Sequence, residues 1–436
     1  MPNTTKPRSD RGFAFADSAT RDGARAQPFP TLTLGRNELW ALAIAMGILY
    51  VAAIVFSQSG VARTDEVYHF AQIELFRNGE WRVLDRYLTT IPGYHFVVAL
   101  LLKLTGSDSL GAARTITALF GLAAAAAFHV LRRQTQPGGE ALATAQFLVL
   151  PVLAPFFFLV YTDVLALALV LWATVATTRN RHWLAALVLC AALLVRQSDA
   201  IWAGFLMALA AWPEFREHRF GDPGRLASLV APYLLPVVAF VAFWAWNGSI
   251  SLSREQALLH PVGLHGGNVL LALAVGGFLF LPQAFARMHR YVAPSRAHPW
   301  FLLITPLAIA IFYFGFRADN PYNAAAPDFY VHNLLAQDLA TDRGLRFIAA
   351  VVAGVGARIF LVTPLRPAAA YWLFPIGAFF LASEWLVETR YLIVPFALWL
   401  AFREQRSKRA EYIMLALWAL LAVEMFVFMI AGRAFP

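Results

Sequence analysis

The chain has 436 residues, of which 59% are hydrophobic and only 14% are charged. A soluble globular domain averages about 45–50% apolar and about 25% charged residues. This composition therefore excludes a set of ordinary soluble domains and indicates a multi-spanning membrane protein. The net charge of +9 fits contact with an anionic membrane face. The single cysteine, Cys190, excludes an intrachain disulfide and a cysteine-rich metal site.

The first 36 residues differ from the rest of the chain. Residues 1–36 carry scattered Lys and Arg among Pro, Ser, Thr and Gly, which is typical of a disordered cytoplasmic tail. No apolar core precedes residue 38, so we do not expect a cleaved signal peptide. Residues 37–436 are predicted to form a single transmembrane domain.

Apolar runs from residue 38 onward predict an all-α polytopic membrane protein. Because a spanning helix needs about 20 apolar residues, we expect roughly 11–13 transmembrane helices. The basic tail lies inside by the positive-inside rule, which puts the segment after the first helix on the non-cytoplasmic side. Arg132, Arg133 and the "RNR" at 179–181 both look cytoplasmic. Both basic segments can lie on the cytoplasmic side if the short apolar run 92–105 is a juxtamembrane helix that does not cross the membrane.

The stretch "TDEVYHFAQIELF" follows the first apolar run. In a helix, Asp65, His69 and Gln72 share one stripe, with Glu66 in the first turn. One reading is a capped amphipathic connector whose acids only favour the helix dipole. The other is a general base, since a carboxylate beside the bilayer can deprotonate an attacking alcohol. A divalent cation bound by these acids and His69 remains possible on the residues alone, although one helix supplies few ligands.

Three further segments place polar residues beside apolar runs. "TTIPG" contains Thr89 and Thr90 at a turn, and "VRQSDAIW" contains Arg196 and Gln197 near membrane depth, where charged groups pair or serve a site. "SEWLVETRYLIVPF" is the third, and its arginine is suited to bidentate phosphate contacts that a neighbouring glutamate can orient. Its candidate residues are Glu388, Arg390 and Tyr391. A loop junction or an ordinary interfacial ion pair explains each segment equally well.

Together these segments resemble the dolichyl-phosphate-glucose α-1,2-glucosyltransferase family of lipid-linked oligosaccharide assembly. The first segment is similar to that family's first luminal loop, and "VRQSDAIW" and "LVETRYLIVPF" are similar to two later motifs, in the same order. The matching residues are Asp65, Glu66, His69, Gln72, Thr89, Thr90, Pro92, Gly93, Arg196, Gln197, Trp202, Glu388, Arg390, Tyr391 and Pro395. Two middle loops depart from the family pattern: "VGLHGGN" offers His265 without the expected aspartate, and "FYVHN" replaces a Tyr-x-Trp-Arg pattern.

The resemblance implies a GT-C glycosyltransferase fold with its active site on the non-cytoplasmic face. It implies transfer of a hexose, most simply glucose, from a polyprenyl-phosphate donor to a lipid-linked or surface glycan, with inversion. Asp65 would be the base, supported by Glu66, while Arg390 and Arg196 would hold the donor phosphate. His69, Gln72, Thr89, Thr90, Gln197, His265, Glu388 and Tyr391 would bind substrate.

Two other functions stay open at this point. A transporter or flippase for lipid-linked sugars would show internal repeats and mid-membrane polar groups, neither of which is evident. A non-catalytic binder of such lipids would keep the fold without the chemistry. Composition rich in alanine and arginine, with one cysteine, indicates a bacterial inner membrane in preference to an endoplasmic reticulum.

Overall fold

The structure, a computed structural model, describes residues 34–58, 60–84, 88–216, 223–258, 261–286, 301–323, 333–405 and 407–431. The predicted basic tail lies almost wholly outside the described residues. Within the described ranges the chain is helical, and the β structure there is limited to one isolated bridge between Leu365 and Arg403. The predicted all-α architecture is thus confirmed.

We number the α-helices in chain order. They are α1 (Arg36–Ser57), α2 (Glu66–Arg77), α3 (Gly93–Thr105), α4 (Leu110–Thr135), α5 (Glu140–Leu148), α6 (Asp163–Thr178), α7 (His182–Val195), α8 (Trp202–Arg216), α9 (Pro223–Asn247), α10 (Arg254–Ala257), α11 (Gly267–Leu279), α12 (Leu281–Ala286), α13 (Phe301–Gly315), α14 (Leu334–Thr341), α15 (Arg343–Val362), α16 (Leu373–Ala382), α17 (Ile393–Phe402) and α18 (Lys408–Ile430). Short 3₁₀ helices cover Ala154–Phe158, Gln197–Ile201, Ala368–Trp372 and Thr389–Leu392.

Among the described residues, five helices are long and apolar enough to cross a membrane: α1, α4, α9, α15 and α18. Most of the other predicted spans fall on apolar helices of 10–17 residues, so length alone supports only five of the expected spans within the described ranges. The difference follows from where the helices lie. Helix α17 is buried at every one of its ten positions, whereas α1 buries only Tyr50 and Ser57. A helix wrapped by protein does not need the length that a lipid-facing helix needs.

The bundle has two polar ends. At one, Lys408 Nζ lies 3.1 Å from Glu38 and Arg132 donates a 2.6 Å hydrogen bond to the carbonyl of Arg403; we call this the basic end. At the other, Arg390 pairs with Asp65; we call this the site end. Helix α1 begins at the basic end and finishes at the site end, which is the direction that the basic tail predicts.

Helix α3 begins and finishes at the site end. Gly93, its first residue, lies directly against the backbone carbonyl of Leu194 in the last turn of α7, a contact that leaves no room for a Cβ. The next helix, α4, starts with Gly111 against Gln58 at the end of α1. Helix α3 therefore does not cross the bundle, in agreement with the prediction for 92–105. Because α3 stays at one end, Arg132 and the 179–181 segment lie on the same side.

Candidate active site

Asp65 lies just before the first residue of α2. Its backbone N–H donates a 3.1 Å hydrogen bond to the hydroxyl of Tyr161, and the preceding Thr64 has a φ of 46°, in the left-handed region that β-branched residues rarely adopt. The Asp65 carboxylate keeps 23% exposure, and its Oδ2 is 3.2 Å from the guanidinium of Arg390. The backbone thus presents this carboxylate to the interior space of the site end.

Glu66 points the other way. Arg114 holds it with two hydrogen bonds, of 2.9 and 2.5 Å, and both side chains are fully buried. The same carboxylate accepts hydrogen bonds from the backbone N–H groups of Arg63 and Val160. All four of these hydrogen bonds are made within the protein, and they tie Glu66 to Arg114 and to the loop before α2.

Arg390 sits between two carboxylates. It pairs with Asp65 on one side and with Glu388, which is 1% exposed, on the other. Its guanidinium also lies 5.6 Å from the ring centre of Tyr391, a cation–π contact. The 3₁₀ helix Thr389–Leu392 carries both residues to the start of α17. The late motif therefore meets the first loop in space, although 325 residues separate Asp65 from Arg390.

Buried asparagines hold the segment before Arg390. Asn268 Nδ2 donates to the carbonyls of Glu384 and Leu386, at 3.1 and 2.8 Å, and its Oδ1 accepts from the N–H of Glu388. Asn323 exchanges two hydrogen bonds, of 2.9 and 2.8 Å, with the backbone of Val387. Side-chain amides replace a partner strand here, because a non-helical segment must otherwise leave its backbone groups unpaired.

Arg196 is another arginine of the cavity lining. It directly follows α7 and pairs with Asp163, the first residue of α6, which is 2% exposed. Its guanidinium lies 5.6 Å from the ring centre of Tyr391, as that of Arg390 also does. Arg196 and Arg390 therefore share one aromatic side chain. This arrangement can grip one anion from two sides.

These groups surround a cavity of about 1270 Å³. Of the residues predicted from the sequence, the lining contains Asp65, His69, Thr89, Thr90, Arg196, Gln197, Arg390 and Tyr391. Apolar side chains from α9, α16 and α18 complete the wall, including Val237, Phe379 and Met429. The cavity is therefore lined by charged residues together with apolar side chains.

Glu66, Gln72, His265 and Glu388 are absent from that lining. Gln72 is fully buried and bridges the carbonyl of Arg82, at 3.0 Å, and the N–H of Leu84, at 2.8 Å. His265 stacks on Trp385 with ring centres 5.8 Å apart. The structure therefore does not place these four residues in the cavity lining, and their catalytic and substrate-binding roles stay predictions.

Gln197 connects three loops that meet at the cavity. Its Nε2 donates to the carbonyls of Thr89, at 2.7 Å, and Ile250, at 2.9 Å, while its Oε1 accepts from the N–H of Ile91. The Thr89 carbonyl also accepts a 2.9 Å hydrogen bond from the N–H of Leu252. The "TTIPG" turn is therefore clamped against the segment that follows α9.

Two acids of the cavity region have perturbed protonation. Burial raises the pKa of Asp199 to about 7, against the opposing effect of Arg196. Burial also raises the pKa of Glu384, which lines the cavity, and the charges of Arg196 and Arg390 act against this shift. In both carboxyl groups burial therefore favours the neutral form.

Sequence reasoning missed four residues of this region: Arg114, Asp163, Tyr161 and His95. A charged residue inside an apolar run is the signal that could have found Arg114 and Asp163, since such groups pair or serve a site. Tyr161 and His95 carry no such signal, because an aromatic residue in an apolar run reads as core.

The described residues contain no group of three or more His, Cys, Asp or Glu side chains that could hold a metal ion. Asp65 is engaged by Arg390 and Glu66 by Arg114. The donor set of the first loop is therefore a poor fit to the divalent cation that the residue types alone left open.

Residues 62–223 match a family model described as the DIE2/ALG10 family. Relatives named Dol-P-Glc:Glc(2)Man(9)GlcNAc(2)-PP-Dol alpha-1,2-glucosyltransferase include one from Drosophila melanogaster, 25% identical over 89% of this chain and 95% of that protein. The Homo sapiens relative is 23% identical over 77% of this chain and 82% of its own length. The match to the Candida glabrata relative, 25% identical, spans 51% of this chain and 47% of that protein.

Solved structures resemble the fold more distantly. ArnT from Cupriavidus metallidurans in the apo state gives a TM-score of 0.44 at 16% identity, covering 90% of this chain and 78% of that chain. An oligosaccharyltransferase from Archaeoglobus fulgidus gives 0.36 at 14% identity, covering 92% and 56%. The family model is the more specific match, and it contains both the "TDE" and the "VRQ" motifs. Residues 62–223 of this membrane protein therefore carry the sequence pattern of the DIE2/ALG10 family, which confirms the resemblance predicted from those motifs.

Proposed function

We propose that this protein is a membrane glycosyltransferase of the GT-C type. It moves a hexose, in the first instance glucose, from a polyprenyl-phosphate donor to a hydroxyl of a lipid-linked or surface glycan, with inversion. The observation that carries the proposal is the meeting of Asp65, Arg390 and Arg196 in one cavity with an apolar wall. The α-1,2-glucosyltransferase names of its relatives support the same reaction class.

The chemistry follows from the positions of these groups. Asp65 takes the proton of the acceptor hydroxyl, whose oxygen attacks C1 of the hexose. The bond from C1 to the phosphate oxygen breaks, and its electron pair leaves on polyprenyl phosphate. Arg390 and Arg196 bind that phosphate and stabilise its growing charge. Because phosphate is a good leaving group, no strong general acid is required.

The remaining lining residues are assigned to the substrates. His69, Thr89, Thr90 and Gln197 surround the sugar, and Tyr391 supports Arg196 and Arg390. Glu66, Gln72 and Glu388 act through the backbone groups or the arginines they hold, and His265 acts through Trp385, on which it stacks. The apolar wall takes the first isoprene units of the donor lipid.

The names of the relatives contain dolichol, and those relatives come from eukaryotes. Our proposal for this chain is a polyprenyl donor in a bacterial inner membrane, with the site end on the non-cytoplasmic face. Its support is the alanine- and arginine-rich composition with one cysteine and the direction of α1 from the basic tail.

A direct experiment separates a transferase from a transporter or a passive binder. Purified protein is incubated with polyprenyl-phosphate glucose labelled in the sugar, together with a membrane glycan extract as acceptor. A transferase moves the label to a new lipid-linked or glycan product and releases polyprenyl phosphate, whereas a transporter or binder leaves the donor intact. Intact donor with wild-type protein, alongside measurable donor binding, would overturn the proposal.

A further inference from the structure

Two histidines lie side by side next to Asp65. His69 Nδ1 is 2.8 Å from His95 Nε2, which is a hydrogen bond between the rings. His69 is 9% exposed and lines the cavity, whereas His95 is fully buried and does not. The pair therefore connects the cavity to the interior between α2 and α3.

The surroundings of both rings favour the neutral form of the imidazole. Burial lowers the pKa of His69, and the charge of Asp65 only partly opposes that effect. Burial and the neighbouring His69 lower the pKa of His95 further. A hydrogen bond between two neutral imidazoles needs one nitrogen with a hydrogen and one without, so the two rings must adopt complementary tautomers.

The backbone before His95 favours one of the two tautomers. Pro92 contributes a backbone hydrogen-bonding interaction to the environment of the His95 ring, and it acts to raise the pKa of that ring. Because Nε2 faces His69, Nδ1 is the ring nitrogen left for this interaction, although Nδ1 has no formed hydrogen bond among the described residues. A carbonyl oxygen can only accept, so it favours a hydrogen on Nδ1. His95 Nε2 is then the acceptor, and His69 Nδ1 carries the hydrogen.

This tautomer leaves His69 Nε2 as an acceptor. Nε2 makes no hydrogen bond within the part of the chain that the structure describes, and it is not among the buried unpaired atoms. The His69 ring packs edge-on against Tyr161, with centres 5.3 Å apart, and Tyr161 in turn accepts from the N–H of Asp65. His69 lines the same cavity as Asp65, so its ring borders the space in which the base lies.

We propose that His95 is a positioning residue that holds His69 as a hydrogen-bond acceptor, and that His69 Nε2 accepts from a sugar hydroxyl in the cavity. The hydroxyl belongs to the donor hexose or to the acceptor glycan. This inference rests on the proposed hexose transfer and deepens it. A neutral acceptor suits this place, because a second carboxylate there would repel the phosphate of the donor.

The tautomer is measured directly in the wild-type protein. With ¹⁵N-labelled histidine, the His69 signal is identified by its loss in His69→Phe, and its two nitrogen shifts show which nitrogen carries hydrogen. We expect hydrogen on Nδ1 and a bare Nε2. Hydrogen on Nε2, or a doubly protonated ring at neutral pH, would overturn the inference even if hexose transfer is observed.

The role of the tautomer is measured by binding. The affinities of polyprenyl-phosphate glucose and bare polyprenyl phosphate are compared in the wild type, His95→Leu and His95→Gln. Leucine removes the acceptor for His69 Nδ1, whereas the glutamine side-chain oxygen can replace it. If the hydroxyl is on the donor, leucine lowers the preference for the glycosylated lipid by about 2- to 10-fold, the contribution of one hydrogen bond. Glutamine restores most of it.

A second measurement, KM for the acceptor glycan in the same variants, tests whether the hydroxyl is on the acceptor. If the donor preference is unchanged in His95→Leu but KM for the acceptor glycan rises and glutamine restores it, the hydroxyl is on the acceptor. Equal behaviour of leucine and glutamine, or no change in either quantity, would show that the pair only packs α2 against α3. Wild-type protein without any transfer would instead refute the proposed function, while the nitrogen shifts would still decide the tautomer.

Discussion

Asp65 and Glu66 are neighbours in the sequence, and each faces an arginine, yet the two pairs differ in every physical respect. Glu66 and Arg114 make two short hydrogen bonds and are both 0% exposed. Asp65 and Arg390 are joined by one contact of 3.2 Å and are 23% and 15% exposed. We call the buried Glu66–Arg114 pair the closed pair and the Asp65–Arg390 pair, which borders the cavity, the cavity pair.

The closed pair is complete without a ligand. Arg114 also donates to the carbonyls of Ser57, at 2.7 Å, and Val61, at 3.1 Å, so each nitrogen of its guanidinium already makes a hydrogen bond within the protein. Arg403 and Glu411 form a similar buried pair at the basic end, with 0% and 1% exposure. The cavity pair is incomplete, and a phosphate can take the contact that Arg390 makes with Asp65. A carboxylate released in this way would become the base only when the donor is bound.

The largest expected effect is the loss of transfer on changing Asp65, the carboxylate of the cavity pair. Asp65→Asn keeps the size of the side chain but removes the base, so transfer falls by about 10²- to 10⁴-fold. Donor binding should survive or become tighter, because Arg196 and Arg390 remain and the carboxylate that competes with the phosphate for Arg390 is gone. The rate of labelled-product formation and the binding of the donor are measured on the same preparation.

Asp338→Asn is the matched control, since Asp338 is exposed on α14, outside the cavity lining. It should transfer at the wild-type rate. Transfer by Asp65→Asn within a few fold of wild type would remove Asp65 from the role of base.

For Glu66, the next residue, we expect a loss of stability. Glu66→Gln leaves Arg114 buried without its countercharge, which destabilises the protein by about 3–5 kcal/mol. Thermal unfolding in one detergent measures the loss, with Asp65→Asn as the partner that should unfold near the wild-type temperature. If Glu66→Gln unfolded like the wild type but lost transfer, the difference between the two pairs would be refuted.

The sequence motifs predicted the two residues of the cavity pair but not the arginine of the closed pair. Asp65, Arg196 and Arg390 were recognisable because polar residues flank apolar runs, and a site beside a membrane needs them there. Arg114 is 48 residues from Glu66, and its role depends on how α4 packs against the end of α1. Composition predicted the all-α fold, yet it could not show that α17 is wholly enclosed and therefore short. Such features depend on packing between distant segments, which a local pattern does not contain.

A smaller effect is expected from changing the arginine itself. Arg390→Lys keeps the charge but loses the planar fork that binds two phosphate oxygens. Removing one charge-assisted hydrogen bond raises KM for the donor by about 10- to 100-fold. Arg403→Lys is the control, in the buried Arg403–Glu411 pair at the basic end. It should lower the unfolding temperature and leave KM for the donor unchanged. The same rise of KM in both variants would mean that the effect comes from general loosening.

The smallest effect concerns Asp199, a carboxylate beside Arg196 that has no direct bond to it among the described residues. Burial raises the pKa of Asp199 from 3.8 to about 7, with Arg196 opposing the shift and Asp163 and Glu384 adding to it. The folded protein therefore binds a proton between pH 4 and 7 that the unfolded chain releases. Stability is highest at the acidic end of that window and falls as the pH rises, by at most about 1.4 kcal/mol per unit for one group. Asp199→Asn should flatten this slope in unfolding scans at stepped pH, and an unchanged slope would show that Asp199 is already ionised beside Arg196.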